Sequence, residues 1–195
     1  MSKKARLVYF EAGREDKEES FHYIHVNKFN EESAKNFYHD FLKLNSNPEV
    51  RVIVIVVDSY GGDVYALLSM LDVIKSANKP VATIASGKAM SCGAVLLSAG
   101  DKGLRFAGPS AEILIHEVSS VAVGKNSDVQ NDAKNTARLN KLLMRTLAEN
   151  SGKKDRDFFI KLSKARGNVD LVFSAKQAKS HGLIDFIGIP ELSKS

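Results

Sequence analysis

Val52 to Val57 is a run of six consecutive apolar, β-branched residues and gives the strongest strand signal in the chain. An unbroken run of this kind suits a parallel strand covered on both faces. Upstream, Tyr23 to Val26 reads as a short strand. Asn30 followed by Glu31 and Glu32 reads as an N-cap with acids in the first turn, opening a helix to about Leu44 with Phe37, Phe41 and Leu44 on one face. Downstream, Asp58 to Gly62 is a turn, and a helix runs from about Asp63 to Ala77 until Pro80 stops it. Val81 to Ala85 is the next strand, Gly87 opens another turn, and Met90 to Ala99 is a short helix of small residues. Ala111 to Ile115 is strand-like, and a long amphipathic helix covers about Ser127 to Asn150, with Ala133, Ala137, Leu143, Met144 and Leu147 as its apolar stripe. Lys153 to Arg166 is helical through Phe158, Phe159 and Leu162. Ser174 with Gln177 three residues on is a capping-box signature for a helix ending at Gly182, and Leu183 to Ile187 is a last strand. Strands and helices alternate, so the class is α/β.

The chain has 195 residues, 44% of them hydrophobic and 26% charged, and no repeat or linker divides it. That predicts one globular domain with a radius of gyration of about 16 Å, large enough to need no disulfide or metal staple. Arg14 to Ser20 is dense in charge and nearly free of apolar residues. Residues 1–20 are therefore expected to be a poorly ordered segment ahead of a single domain over 21–195. One cysteine, Cys92, forms no internal disulfide and has no neighbours of metal-site spacing, so a reducing compartment, no metal and no cofactor are expected. No apolar run reaches the roughly 20 residues of a membrane span and no signal-type stretch follows Met1, which points to the cytoplasm and to no membrane partner. The net charge of +5 is mostly interleaved. The exception is Lys134, Arg138, Lys141 and Arg145, which share one face of the long helix. With no aromatics threaded among them, nucleic acid is not the expected partner, and the plain reading is a solvated helix face.

Two strand-to-helix turns hold the candidate chemistry, Gly61-Gly62 and Gly87 to Gly93, each beyond the carboxyl end of a parallel strand where open α/β sheets place their sites. Small residues around Ser91 allow a sharp bend. Ser91 then stands near a helix N-terminus whose free amides favour developing negative charge. The glycine pair can supply a further amide because backbone without a Cβ approaches a substrate oxygen closely. By itself a Ser at a helix start is usually a cap, and a hydroxyl needs a base to become a nucleophile. Of five histidines, His116 is set apart by ending the apolar strand Ile113-Leu114-Ile115, although a histidine at a strand end is ordinarily satisfied by backbone. Asp170, after Gly167-Asn168, reads on its own as an exposed loop carboxylate.

Taken together, Gly61-Gly62, Gly87-Lys-Ala-Met-Ser91-Cys-Gly-Ala-Val-Leu-Leu, Ile113-Leu-Ile-His116, Asp170-Leu-Val-Phe-Ser-Ala and Lys179-Ser-His-Gly182-Leu-Ile-Asp185 resemble the ClpP family, the proteolytic subunits of Clp protease. The resemblance covers about residues 22–188. It implies a ClpP/crotonase-like fold of repeated β-β-α units with a protruding handle helix, here Ser127 to Asn150. It implies Ser91 as nucleophile, His116 as general base, Asp170 as the group that orients it, and the amides of Gly62 and Cys92 as oxyanion hole. The function it implies is an ATP-independent serine endopeptidase subunit that cuts unfolded polypeptide inside a ring-shaped chamber fed by an AAA+ unfoldase. The implied assembly is a homo-oligomer of heptameric rings that stack through the handle.

The chain departs from the family's usual pattern at Tyr60, where a proline is usual, at Glu117-Val118 in place of Gln-Pro, and at Val169, where an Arg commonly accompanies the acid. These departures keep a second reading open, a catalytically weak homologue that regulates or decoys a ClpP ring. A thioester-binding hydratase of related fold, and a serine-lysine peptidase using Lys88, are further alternatives that the order Ser91, His116, Asp170 disfavours.

Overall fold

The computed structural model describes residues 6–9 and 23–194. In chain order the first elements are β1 (Arg6–Tyr9), β2 (Tyr23–Val26), α1 (Glu31–Ser46), β3 (Ile53–Ser59), α2 (Val64–Lys75), β4 (Val81–Met90) and α3 (Cys92–Ser98). Then follow β5 (Arg105–Ala107), β6 (Glu112–Ile115), α4 (Asn126–Asn150), α5 (Phe158–Ala165), β7 (Leu171–Ser174), α6 (Ala175–Ser180), β8 (Phe186–Ile187) and β9 (Glu191–Lys194). This is the α/β class that the alternation predicts. A seven-stranded sheet runs β2-β3-β4-β5-β8, with β6 on the far half of β4 and β7 on β6, and every pairing in it is parallel except β6 with β7.

Local signals set most of the boundaries. Asn30 Oδ1 accepts the Ser33 N–H at 2.8 Å while Ser33 Oγ accepts the Asn30 N–H at 2.9 Å, a reciprocal cap that starts α1. Asp63 caps α2 by accepting the Tyr65 N–H, and Ser174 with Gln177 closes the expected capping box at α6. The apolar run in β3 is covered on both faces. Ile53, Ile55 and Val57 join the main core under α1, α2 and α3, while Val54 packs on the other side with Ala82, Ile84 and Phe106.

Several expectations need correction. β4 does not stop at Ala85; it continues through Gly87 to Met90, because Gly87 (φ 82°) supplies a bulge inside the strand rather than a turn after it. Its first half lies between β3 and β5, and its second half pairs with β6. β5 and β7 were not foreseen, α5 begins only at Phe158, and of the last expected strand only Phe186–Ile187 forms before β9. On α4, Ala133 and Ala137 are exposed. The buried residues are Leu139, Leu143, Met144, Leu147 and Ala148; from Asn126 to Arg138 none is buried, and Asp132, Asn135 and Thr136 are half-buried. The basic face is solvated in part only, because Arg145 pairs with Asp157 at 2.9 Å. Arg6–Tyr9 pairs in parallel with Glu191–Lys194, and the charged stretch Arg14 to Ser20 lies outside the described residues. No described helix is long and apolar enough to cross a membrane.

Candidate active site

β4 hands over to α3 at Ser91, which adopts φ 55° and ψ −119°. Among the described residues only Ser91 and Asn168 combine a side chain with positive φ. Such a conformation costs of order 1–3 kcal/mol and persists where surrounding contacts enforce it. Here the Ser91 N–H donates to the Leu114 carbonyl of β6 at 2.8 Å, and its own carbonyl accepts from Ala94 in the first turn of α3. The hydroxyl makes no capping bond to the helix. A nucleophile held on a tight strand-to-helix corner, its oxygen not spent on the cap, is the geometry acyl-transfer sites use to present a serine.

Gly61 and Gly62 follow β3 and press against this corner. A Cβ on Gly61 would stand 2.7 Å from the Ser91 Cβ, and one on Gly62 would strike the Phe29 carbonyl oxygen. Both have positive φ, 107° and 149°, so glycine is required for conformation and for space. The Gly62 carbonyl receives the Cys92 thiol at 3.3 Å. Burial pushes that thiol up to about 11, so it stays protonated and unreactive at neutral pH. The Cys92 amide is the first of α3 and has no carbonyl one turn back inside the helix to donate to.

Gly62, Ser91 and His116 share one cavity of about 70 Å³, otherwise walled mainly by Val64, Val95, Ile115, Leu143, Met144 and Leu147. His116 reaches it because β6 runs beside the end of β4: Met90 is opposite Leu114, so Ser91 comes level with Ile115 and His116 lies one residue further along the same edge. Asp170 is placed by β7. The antiparallel register matches Ile115 with Leu171, and one further step puts Asp170 opposite His116. Its carboxylate is nevertheless exposed. Among the described residues no hydrogen bond joins Ser91, His116 and Asp170 to one another. The preceding turn is not loose, since the Ser163 hydroxyl donates to the Val169 carbonyl at 2.9 Å and the Asn168 N–H donates to the Ser163 carbonyl.

Lys88, the alternative base, points elsewhere. Its ammonium is 2.6 Å from Asp58 Oδ1, whose carboxylate holds the lysine pKa above its ordinary value. A cation so paired accepts no proton from Ser91. The Asp58–Lys88 contact escapes a reading along the chain because its partners are 30 residues apart and meet only through the β3–β4 bulge.

A mostly parallel sheet, a strained serine at the end of its central strand, and a histidine beyond the adjacent strand's end in the same cavity are the features to set beside known proteins. The Clp protease family model matches residues 18–191. The proteolytic subunit 2 of the ATP-dependent Clp protease of Frankia casuarinae is 38% identical over 125 residues, 64% of this chain and 58% of that protein. The aligned stretch thus spans less than two thirds of the relative's own length. With the family match reaching across nearly all of the described domain, motifs and fold included, the chain belongs to the Clp protease family.

Proposed function

We propose that the chain is a serine endopeptidase subunit acting on unfolded polypeptide, and the observation that carries this reading is the strained Ser91 sharing an apolar cavity with His116 and Gly62. Ser91 Oγ attacks the scissile carbonyl carbon while His116 takes its proton. The carbonyl oxygen, now negative, is held by the amides of Gly62 and Cys92. As the C–N bond breaks, His116 passes the proton to the leaving amine. Water then repeats the sequence on the acyl-enzyme and frees Ser91. Asp170, opposite His116 in register, fixes the ring tautomer once its carboxylate turns inward. The cavity walls take an apolar side chain at the residue before the cut. A fluorophosphonate probe followed by peptide mapping is the direct test. It is expected to modify Ser91 alone, and labelling of any other residue or of none overturns the assignment.

The subunits form homo-oligomeric rings, heptameric in the family pattern and able to stack, that receive substrate from an AAA+ unfoldase in the cytoplasm. Support comes from α4, where no residue from Asn126 to Arg138 is fully buried in the monomer. Light scattering at micromolar concentration is expected to give a multiple of the 21.4 kDa chain mass, and a monomer would refute the assembly.

The disengaged Asp170 carboxylate favours low peptidase activity in the isolated protein, rising with a partner that orders the site. Asp170→Ala is expected to reduce the stimulated rate by about 100-fold, in the range for loss of acid-base function. An unchanged rate would remove Asp170 from the mechanism. The same observation supports the second reading, a weakly active homologue that modulates another ClpP ring. Under that reading, mixing the two proteins changes the other ring's peptidase rate while Ser91→Ala leaves that change intact.

A further inference from the structure

The segment Tyr60-Gly61-Gly62 is the glycine-rich part of the candidate site next to Ser91. It leaves β3 without proline and carries two glycines with positive φ, the residue type that loses most conformational freedom when it is fixed. Its two ends are tied. The Gly61 N–H donates to Ser59 Oγ at 3.1 Å, and the Asp63 N–H donates to the Phe29 carbonyl at 2.9 Å. The Gly62 carbonyl also accepts the Cys92 thiol at 3.3 Å. None of these bonds holds Tyr60, which is 75% exposed and so is not placed by apolar packing.

A fourth tie comes from the bulge between β3 and β4. Val57 pairs with Ala85 but Ser59 pairs with Ala89, so three residues of β4, Ser86, Gly87 and Lys88, lie against Asp58 alone. The Asp58 carboxylate lies over Gly87, where a Cβ would stand 3.4 Å from Oδ1. Lys88 closes the gap. Its ammonium is 2.6 Å from Asp58 Oδ1 and 4.4 Å from the centre of the Tyr60 ring, a charge held by a carboxylate on one contact and a π face on the other. Lys88 also lies three residues before Ser91 on the portion of β4 that pairs with β6. One cation therefore links the limb that carries the Gly62 amide to the limb that carries the nucleophile.

We infer that Lys88 is a positioning residue, clamping Tyr60-Gly61-Gly62 through Asp58 and the Tyr60 ring so that the Gly62 amide faces the oxygen of an acyl group on Ser91. The inference rests on the reading of Ser91 as nucleophile and Gly62 as oxyanion donor. It concerns the transition state, since the donor must meet an oxygen that becomes anionic only after attack. A misplacement of about 1 Å can cost on the order of 100-fold, so a loosened rather than removed donor should cost about tenfold in kcat with little change in KM.

The test compares Lys88→Met, which keeps the stem without the charge, with Lys88→Arg, which keeps the ion pair and stacks on an aromatic ring. Two readouts are used on the full chain: steady-state hydrolysis of a short apolar peptide, and hydrogen exchange of the segment spanning residues 58–64. Lys88→Met is expected to lower kcat about tenfold with KM within about twofold, and to speed exchange severalfold, while Lys88→Arg restores both. Unchanged exchange in Lys88→Met overturns the clamp whatever the kinetics. Faster exchange with unchanged kcat overturns its role in positioning the amide, and so does a fall shared equally by Lys88→Arg. If the unaltered protein neither hydrolyses peptide nor takes a fluorophosphonate, yet Lys88→Met still loosens the segment and Lys88→Arg restores it, the clamp stands and the peptidase reading fails.

Discussion

Ser91→Ala is expected to lower peptide turnover by at least about 10⁴-fold under conditions where the unaltered protein is active, with no measurable change in fold. With Ser91 the proposed nucleophile, loss of its oxygen removes covalent catalysis altogether and leaves His116 with no proton to take. What remains is substrate binding and the two amides, which can stabilise a tetrahedral intermediate formed by water but cannot supply an oriented nucleophile. Stability should be spared because the hydroxyl makes no capping bond and the strained φ of 55° is imposed on alanine as much as on serine. Alanine also adds no atom against Gly61, which lies directly beside the Ser91 Cβ. The measurement is hydrolysis of a fluorogenic peptide with an apolar residue before the cut, alongside thermal unfolding. A residual rate within tenfold of the unaltered protein would mean that another group attacks. Cys92 would not be that group, since its buried thiol stays protonated at neutral pH.

How much of this was readable in the residues depended on whether the cause was local. The Asn30 and Ser174 caps are made by side chains three positions from their partners, so sequence spacing states them outright. The apolar run of β3 stated a strand with two covered faces for the same reason. β5 and β7, with three and four residues, are too short to show a period and form because β4 and β6 offer them edges. Gly87 was misread because a glycine in a strand and a glycine in a turn look alike until the partner strand's register is known. Within the site, the small-residue corner at Ser91 was legible and so was a histidine at a strand end. The register that sets Asp170 opposite His116 is a product of β6 meeting β7, and the Lys88 clamp is a product of a bulge; neither has a signature in spacing. The exposure of Ala133 and Ala137 has the same origin. They repeat at helical spacing like core residues, but α4 runs past the edge of the domain before its stripe finds anything to cover.

Arg105→Met is expected to cost about 3–5 kcal/mol of stability, because it breaks a buried ion pair from one side. Arg105 is 4% exposed. Its Nε and Nη2 donate to the two carboxylate oxygens of Asp185 at 2.9 and 2.7 Å, and Nη1 donates to the Asn150 carbonyl at the end of α4 at 2.7 Å. Asp185 also accepts the Gly103 N–H, and the Asn150 side chain donates to Ser98 Oγ, so one guanidinium joins β5, the approach to β8, the end of α4 and the end of α3. Methionine fills much of the volume but leaves the carboxylate without its cation and the Asn150 carbonyl without a donor. At roughly 2–4 °C per kcal/mol for a chain of this size, the midpoint should fall by about 10 °C at fixed protein concentration, and Arg105→Lys should recover only part because an ammonium cannot span both oxygens. The pH dependence fixes the sign. Burial raises the Asp185 pKa, but the Arg105 guanidinium and the Gly103 amide outweigh it and leave the value below that of an ordinary carboxylate. The pair's contribution is therefore complete above about pH 4 and is lost as pH falls through the depressed folded value. In Arg105→Met burial acts with no cation to oppose it, so the difference between the two proteins should shrink on acidification from neutral pH to about pH 3. A midpoint unchanged at neutral pH, or a gap that widens in acid, would refute this account. The consequence for the site follows from where α4 is anchored: Leu143, Met144 and Leu147 wall the cavity beside Ser91, and Asn150 ties down that end of the helix. A loosened end blurs the wall that receives the substrate side chain, so at temperatures where the variant is still folded KM should rise more than kcat falls.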